Sequence, residues 1–169
     1  MTSLLTEEQE KSIRNQIEET YKEVWCTLLH DKVKQNPPDF EWIVKLYKEI
    51  KHKLTYFLKQ NSSMRKSIEE SLDTELFEQM IRNGAFQGPE FYNLVNYIFD
   101  TTLKLGSPAR DNDVKNLRNE ILTALSNKAT FAELVPLFFK NANTVIDWVH
   151  KDLFEVKGNL KKAIEEMDK

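Results

Sequence analysis

Cys26 and His30 are the first residues along the chain whose types and spacing suit a reactive site. They lie four residues apart, so on a helix both side chains share one side and can bind the same metal ion. A closed zinc site takes four protein ligands, however, and this pair supplies two. The pair also lies opposite the apolar positions of its own helix, which predicts an exposed thiol and an exposed imidazole. No metal site is expected here.

Two further pairs have the carboxylate-x-x-His spacing that builds di-iron sites in helical bundles, namely Glu49 with His52 and Asp147 with His150. Such ligands must project into the core, whereas the helical periodicity turns both pairs away from the apolar stripe. We therefore expect solvated charged faces at these positions. No glycine-rich loop follows a strand, and no histidine is placed as a base for a nucleophile. The sequence predicts no catalytic residues, no metal and no other cofactor, so we expect that the protein is not an enzyme.

The composition is that of one globular domain outside the membrane. The chain has 169 residues, of which 40% are hydrophobic and 30% charged, with a net charge of -3. A single cysteine excludes an intramolecular disulfide framework and fits a reducing compartment. The first ten residues carry acids and no apolar run, and no stretch is long and apolar enough to span a membrane. We predict a cytoplasmic protein, with the nucleus as a possible second location and no membrane association.

The elements that must position these side chains are all predicted to be helices. Apolar residues recur at three- and four-residue steps from end to end, which predicts an all-α, single-domain bundle of six or seven helices over residues 1–169. Long helices are expected at about 6–35 and from about 130 to 167. In the first helix the predicted buried stripe is Ile13, Ile17, Tyr21, Val24 and Leu28. The predicted buried stripe of the second helix is Phe40, Ile43, Val44, Tyr47, Ile50, Leu54, Phe57 and Leu58. The stripe of the fourth helix includes Leu76, and the stripe of the last helix extends to Val156, Leu160 and Ile164.

Polar and turn-forming residues mark the ends of these helices. The pairs Thr6–Gln9 and Thr130–Glu133 have the capping-box pattern, and Asp39, Asp73 and Asp111 stand where a side-chain oxygen can cap a helix. Pro37 and Pro38 end the first helix, and Gly84 ends the fourth.

Three stretches, in this order and spacing, resemble the t-complex protein 11 family. The resemblance covers roughly residues 10–125 and corresponds to the N-terminal part of the family domain. The first stretch that carries it contains Pro37, Pro38, Asp39, Phe40 and Glu49. The second contains Glu69, Asp73 and Gly84, and the third contains Pro108, Arg110 and Asp111.

The resemblance implies a helical, intracellular, non-enzymatic protein that modulates cyclic-AMP and protein kinase A signalling, and that in animals is linked to sperm function. It supplies no catalytic residues. The motif residues serve either structure or partner binding, and structure is the stronger reading because caps and turns need these residue types. Arg110 is expected to pair with Asp111 or Asp113, or to reach the carbonyls that end the fifth helix.

We therefore predict a regulatory module that binds another protein, with protein kinase A pathway components as the partners that the resemblance implies. The aromatic residues Trp25, Phe139 and Trp148 would mark the partner surface wherever they are exposed. The alternative is a helical nucleic-acid-binding protein that uses lysine-rich faces. The two candidate strips are Lys45, Lys48, Lys59, Arg65 and Lys66, and Lys151, Lys157, Lys161 and Lys162. Acidic residues interrupt both strips, which disfavours nucleic acid. The oligomeric state is left open.

Overall fold

A computed structural model describes residues 5–56 and 58–167. Over these residues the chain forms seven α-helices and one 3-10 turn, and it contains no strand, which confirms the predicted all-α bundle with long first and last helices. Phe57, which we expected in the second buried stripe, lies outside the described residues. The helices are α1 (Glu7–Lys34), α2 (Phe40–Thr55), α3 (Ser63–Ser71), α4 (Thr74–Arg82), α5 (Gly88–Leu105), α6 (Asp111–Ser126) and α7 (Phe131–Met167), with the 3-10 turn at Pro108–Arg110.

Most helix ends are fixed by the side chains that the sequence suggested. Asp39 and Asp73 each accept a hydrogen bond through Oδ1 from the backbone N–H three residues later, at 3.1 Å in both cases. The capping boxes of Thr6–Gln9 and Thr130–Glu133 both form. Gly84 has a φ of +69°, a conformation that side chains with a Cβ rarely adopt. These contacts confirm the predicted starts of α1, α2, α4 and α7 and the end of α4.

Asp111 does not cap α6, contrary to our prediction. The 3-10 turn runs directly into α6, so Asp111 is already the first helical residue and makes no side-chain cap. Ser107 caps the 3-10 turn instead, because its Oγ accepts a hydrogen bond from the N–H of Ala109 at 3.3 Å. The carboxylate of Asp111 still lies in the first turn of α6, where negative charge favours the helix dipole.

Helix α7 forms the centre of the bundle. Its first half packs against α1, α2, α5 and α6 and is buried along most of its length. The most deeply buried large side chains come from six of the helices and from the α3–α4 connection, and include Phe99, Leu29, Ile43, Ile68, Leu72, Ile98, Ile121 and Ile146. One continuous core therefore holds the helices together.

Both long helices extend beyond this core, which corrects the predicted burial of their stripes. The α1 stripe of Ile13, Ile17, Tyr21, Val24 and Leu28 is 42–70% exposed, because the opposite side of α1 packs on the bundle through buried Leu29 and Val33 and half-buried Trp25. In α7, the predicted core positions Val156, Leu160 and Ile164 are likewise exposed. Helical periodicity locates an apolar stripe but does not show which element covers it.

Candidate functional site

The residues with metal-ligating potential do not converge on a centre. Cys26 and His30 are half-buried, so the predicted full exposure is wrong. Burial raises the pKa of the Cys26 thiol, and the nearby Lys140 only partly offsets this effect. The thiol is therefore protonated at neutral pH and a poor nucleophile. Within residues 5–56 and 58–167, no group of three or more His, Cys, Asp or Glu side chains is placed to hold a metal ion.

Among the described residues, the two carboxylate-x-x-His pairs do not meet at a common centre either. Glu49, His52 and Asp147 are exposed, as predicted for a solvated face. His150 is half-buried, contrary to prediction, and its Nε2–H donates a 2.7 Å hydrogen bond to the carbonyl oxygen of Lys53. This contact ties the middle of α7 to the end of α2, so His150 has a structural partner.

An open cleft lies between α4 and α5, and we call it the α4–α5 groove. It exists because α4 packs on α2 whereas α5 packs on α6 and α7, so the two helices that flank it belong to different sides of the bundle. Its volume is about 390 Å³. The lining comprises Tyr47, Ser71, Leu72, Asp73, Leu76, Phe77, Met80, Phe86, Glu90, Asn93, Leu94 and Tyr97.

Stacked aromatic rings form the floor of the α4–α5 groove. The ring of Tyr47 stacks on that of Phe77 with centroids 4.0 Å apart and planes 7° apart. The edge of Phe86 then meets Phe77 at 5.2 Å, and the series continues through Phe91 to Phe138 in the core of α7. Because these rings interlock with the main core, the floor of the groove is rigid.

The charges that line the groove are all negative. They are Asp73 and Glu90, and no lysine or arginine is among the lining residues that the structure describes. Both carboxylates are held in place by helix capping, since Asp73 accepts from the N–H of Leu76 and Glu90 accepts from the N–H of Gln87. Their positions are therefore fixed, and they give the opening an acidic rim.

Tyr47, whose ring is part of the floor, holds a buried phenol group. Its pKa is raised above the ordinary value, first by burial and then by the neighbouring Asp73 and Tyr97. The phenol therefore stays neutral at physiological pH.

Leu76 is the functional candidate that sequence analysis missed, since we expected it in the core of α4. It is 52% exposed and projects at the groove, while Phe77 and Ile81 on the adjacent side are buried. The sequence does hold a signal. Leu76, Phe77, Met80 and Ile81 span roughly 140° of a helix at about 100° per residue, and Leu76 lies at one edge of this span.

Of the family-motif residues, only Asp73 lies in the α4–α5 groove. Pro37, Pro38 and Asp39 form the connection between α1 and α2, and Phe40 opens α2 beneath the guanidinium of Arg82, 5.6 Å from its ring centroid. These positions have structural contacts.

Three other motif residues lie apart from one another on the surface. Glu69 pairs with Arg65 at 3.0 Å within α3, Glu49 is exposed on α2, and Pro108 is exposed at the start of the 3-10 turn. Whether any motif residue binds a partner stays a prediction.

Arg110 pairs with a different carboxylate from those we predicted. Its Nε donates to Oδ2 of Asp152 at 2.8 Å, and its guanidinium lies 5.3 Å from the ring centroid of Trp148. Asp111 and Asp113 are not its partners in these contacts. Arg110 thus joins the α5–α6 connection to α7, which lies 42 residues away along the chain.

The predicted aromatic surface is only partly present. Phe139 is 2% exposed, so including it was wrong: it packs beside Phe138 in the core. Trp25 is half-buried with its ring edge-on to Trp42 at 6.4 Å, and Trp148 is half-buried against Arg110. Both tryptophans therefore have intramolecular partners, and neither lines the α4–α5 groove.

The first lysine-rich strip is interrupted by acidic residues, and Arg65 within it is also held by intramolecular contacts. Arg65 donates through Nη1 to the carbonyl oxygens of Leu58 and Thr55, at 2.9 and 3.3 Å, and through Nε to Glu69. It therefore closes the turn after α2 and is not available for a phosphate. No helix in the part of the chain that the structure describes is long and apolar enough to cross a membrane.

The sequence is similar to proteins of one family. A family model described as T-complex protein 11 matches residues 3–161. T-complex protein 11-like X-linked protein 1 of Homo sapiens is 31% identical over 107 residues, which are 63% of this chain and 21% of the relative. T-complex protein 11 homolog of Homo sapiens is 31% identical over 109 residues, which are 64% of this chain and 21% of the relative. T-complex protein 11 of Mus musculus is 30% identical over 109 residues, which are 64% of this chain and 19% of the relative. The match thus spans about a fifth of these relatives' length. No solved structure matches the chain.

Proposed function

The chain belongs to the T-complex protein 11 family, and from this premise we propose that it is a non-enzymatic regulatory module whose α4–α5 groove binds a basic, amphipathic helix of a partner protein. The observation that carries the proposal is the combination of an apolar floor with purely acidic rim charges. A helix that lays its apolar side into a groove uses anchors at i, i+3, i+4 and i+7. Lysine or arginine between those anchors would meet Asp73 and Glu90.

Leu76 gives this proposal a measurable magnitude. About half of its side chain is exposed, and covering it with a partner contributes about 1.5 kcal/mol at roughly 25 cal/mol per Å² of apolar surface. That free energy corresponds to about a tenfold change in Kd. Because Leu76 is not part of the core, its replacement by a polar residue leaves the fold intact.

A designed peptide tests the groove without knowledge of the natural partner. The probe is a fluorescein-labelled 18-residue peptide of leucine and lysine with leucines at helical anchor spacing. We expect micromolar binding by fluorescence anisotropy, binding at least tenfold weaker for Leu76→Gln, and none for the peptide with glutamate in place of lysine. Leu28→Gln is the matched control, because Leu28 is also 52% exposed but lies on α1. Equal binding of a peptide with the same composition in permuted order, or no effect of Leu76→Gln, would contradict the proposal.

Within this proposal the partner is a component of the cyclic-AMP and protein kinase A pathway, as the family resemblance implies, and the compartment is the cytoplasm, with the nucleus as a second possibility. Purified regulatory and catalytic subunits of protein kinase A, offered separately to the immobilised chain, test this choice. We expect at least one to be retained by the wild-type chain and lost with Leu76→Gln. If both fail to bind while the designed peptide binds, the pathway assignment is wrong and the groove assignment stands.

A further inference from the structure

Ser107 lies in the connection between α5 and α6, directly before Pro108 and three positions before Arg110. Proline-directed kinases select proline after the acceptor serine or threonine, because proline has no N–H that their cleft would leave without a hydrogen bond. Many of them also select a basic residue three positions after the acceptor, where it meets negative charge on the kinase. We propose that Ser107 is the phosphorylation site of such a kinase, and that its phosphate draws Arg110 away from Asp152.

Ser107 is the one position in the chain with this pattern. The sequence contains five prolines, and the residues before the other four are Asn36, Pro37, Gly88 and Val135. No other serine or threonine therefore precedes a proline in these 169 residues. Phosphate that a proline-directed kinase incorporates is expected on this single side chain.

The backbone around Ser107 has the extended form in which kinases hold their substrates. Gly106 has φ and ψ of -90° and 178°, and Ser107 has -72° and 134°. Pro108 and Ala109 are exposed, and Ser107 is half-buried. The hydrogen bond that Ser107 Oγ accepts from Ala109 is long, at 3.3 Å, so it restrains the hydroxyl weakly. The 3-10 turn that follows is three residues long, and short turns of this kind open readily because their hydrogen-bond geometry is poor.

The modification is a phosphoryl transfer for which the kinase binds ATP and Mg²⁺. Oγ of Ser107 forms a bond to the γ-phosphorus of ATP, the bond from that phosphorus to the bridging oxygen breaks, and ADP leaves. The hydroxyl proton passes to the catalytic aspartate of the kinase. The product phosphate carries a charge of roughly -1.5 to -2 at neutral pH.

The new phosphate would compete with Asp152 for the guanidinium of Arg110. Arg110 lies three residues after Ser107, a spacing at which side chains of a helical turn are neighbours. Its Nε now donates to Oδ2 of Asp152 at 2.8 Å. The phosphate has about twice the charge of a carboxylate and offers three oxygens to the planar guanidinium.

Negative charge nearby favours this exchange of partners. Asp111 and Asp113 lie in the first turn of α6, so the phosphate needs a cation to offset their repulsion. The phosphate and the carboxylate of Asp152 also repel each other. Phosphorylation therefore moves Arg110 to the phosphate, and the α5–α6 connection loses its ion pair with α7.

Incubation of the folded 169-residue chain with a purified cyclin-dependent kinase, its cyclin and radiolabelled ATP tests the site. We expect close to one phosphate per chain, and at least tenfold less with Ser107→Ala or Pro108→Ala. Ser67→Ala is the matched control, because Ser67 is exposed on α3 and no proline follows it. A standard peptide substrate shows that the kinase is active. Absence of label from the folded chain would overturn the proposal, and so would label that persists in Ser107→Ala.

Asp152→Asn tests whether the phosphate takes Arg110. In the unphosphorylated chain this change should lower the urea midpoint of unfolding, because it removes the partner of Arg110. In the phosphorylated chain we expect less than half of that shift. Asp147→Asn is the matched control, since Asp147 is exposed on α7 outside this ion pair, and its effect should be equal in both forms. An equal shift with Asp152→Asn in both forms would overturn the exchange of partners. Leu76→Gln should be phosphorylated like the wild-type chain, so these results are independent of the α4–α5 groove.

Discussion

Replacing Arg110 with alanine should destabilise the fold by about 2–3 kcal/mol. The side chains of Arg110 and Asp152 are 30% and 17% exposed, so their 2.8 Å hydrogen bond is partly shielded from water. A hydrogen bond to a charged group contributes roughly 1.5–3 kcal/mol, and the guanidinium over Trp148 adds about 0.5–1 kcal/mol. We place the sum toward the lower end because solvent screens a pair that is partly exposed.

Urea denaturation followed by circular dichroism measures this effect. Arg110→Lys keeps the charge but loses the planar guanidinium, so we expect a loss of about 1 kcal/mol. Asp152→Asn should cost about 1–1.5 kcal/mol, and the double variant should show a coupling energy of at least about 1 kcal/mol. Arg14→Ala is the control, because Arg14 and Glu10 form a largely exposed ion pair at 3.8 Å and its loss should cost less than about 0.5 kcal/mol.

Two outcomes would refute the reasoning. If the free energy of unfolding of Arg110→Ala stays within about 0.5 kcal/mol of that of the wild-type chain, the contact to α7 does not stabilise the fold. If Arg110→Ala is costly but shows no coupling to Asp152→Asn, the stabilisation comes from another contact. Arg110 would in either case be open to a role in partner binding, the reading that the structural contacts now disfavour.

Four further positions provide independent tests by the same denaturation measurement. Gly84→Ala should cost about 1–2 kcal/mol because of the positive φ, whereas Gly158→Ala, in an exposed helical segment with no atom near the added Cβ, should stabilise by about 0.5–1 kcal/mol. Equal effects of the two would contradict the structure. Phe99→Ala should cost about 3–5 kcal/mol, since the fully buried ring would leave a cavity, and a loss below about 1 kcal/mol would place it outside the core. The pKa of Tyr47 is raised in the fold, so the neutral phenol contributes to the free energy of unfolding. This contribution is complete below the ordinary tyrosine pKa of about 10 and is lost as the pH rises above that value. Tyr47→Phe should therefore flatten the alkaline loss of stability above about pH 10, and an unchanged slope would contradict the burial of this phenol.

Local features of this fold could be predicted from the sequence because their causes are local. The caps at Asp39 and Asp73 depend on a side-chain oxygen three residues before the N–H that it accepts, and Gly84 depends on its own φ. Helical periodicity is likewise local, because it depends only on the residues of one helix. These interactions lie within a few residues of one another, so a single sequence contains all of their determinants.

Features that depend on two distant segments could not be predicted. Arg110 has acidic neighbours at 111 and 113, yet it pairs with Asp152, which only the packing of α7 brings near. The stripe of α1 has the periodicity of a buried surface, but the helix packs through Leu29 and Val33 instead. The α4–α5 groove arises because neighbouring helices pack on different partners, a property of topology that no motif contains.

The proposal that this chain acts by binding through the α4–α5 groove is tested most directly by nuclear magnetic resonance. The designed leucine–lysine peptide is titrated into ¹⁵N-labelled protein, and the backbone amide shifts are mapped on the structure. We expect the largest changes between residues 72 and 80 and between residues 86 and 97, and their loss with Leu76→Gln. Largest changes in the exposed first half of α1, in the exposed end of α7, or around Lys45 and Lys48 on α2 would contradict the assignment of the groove as the binding site.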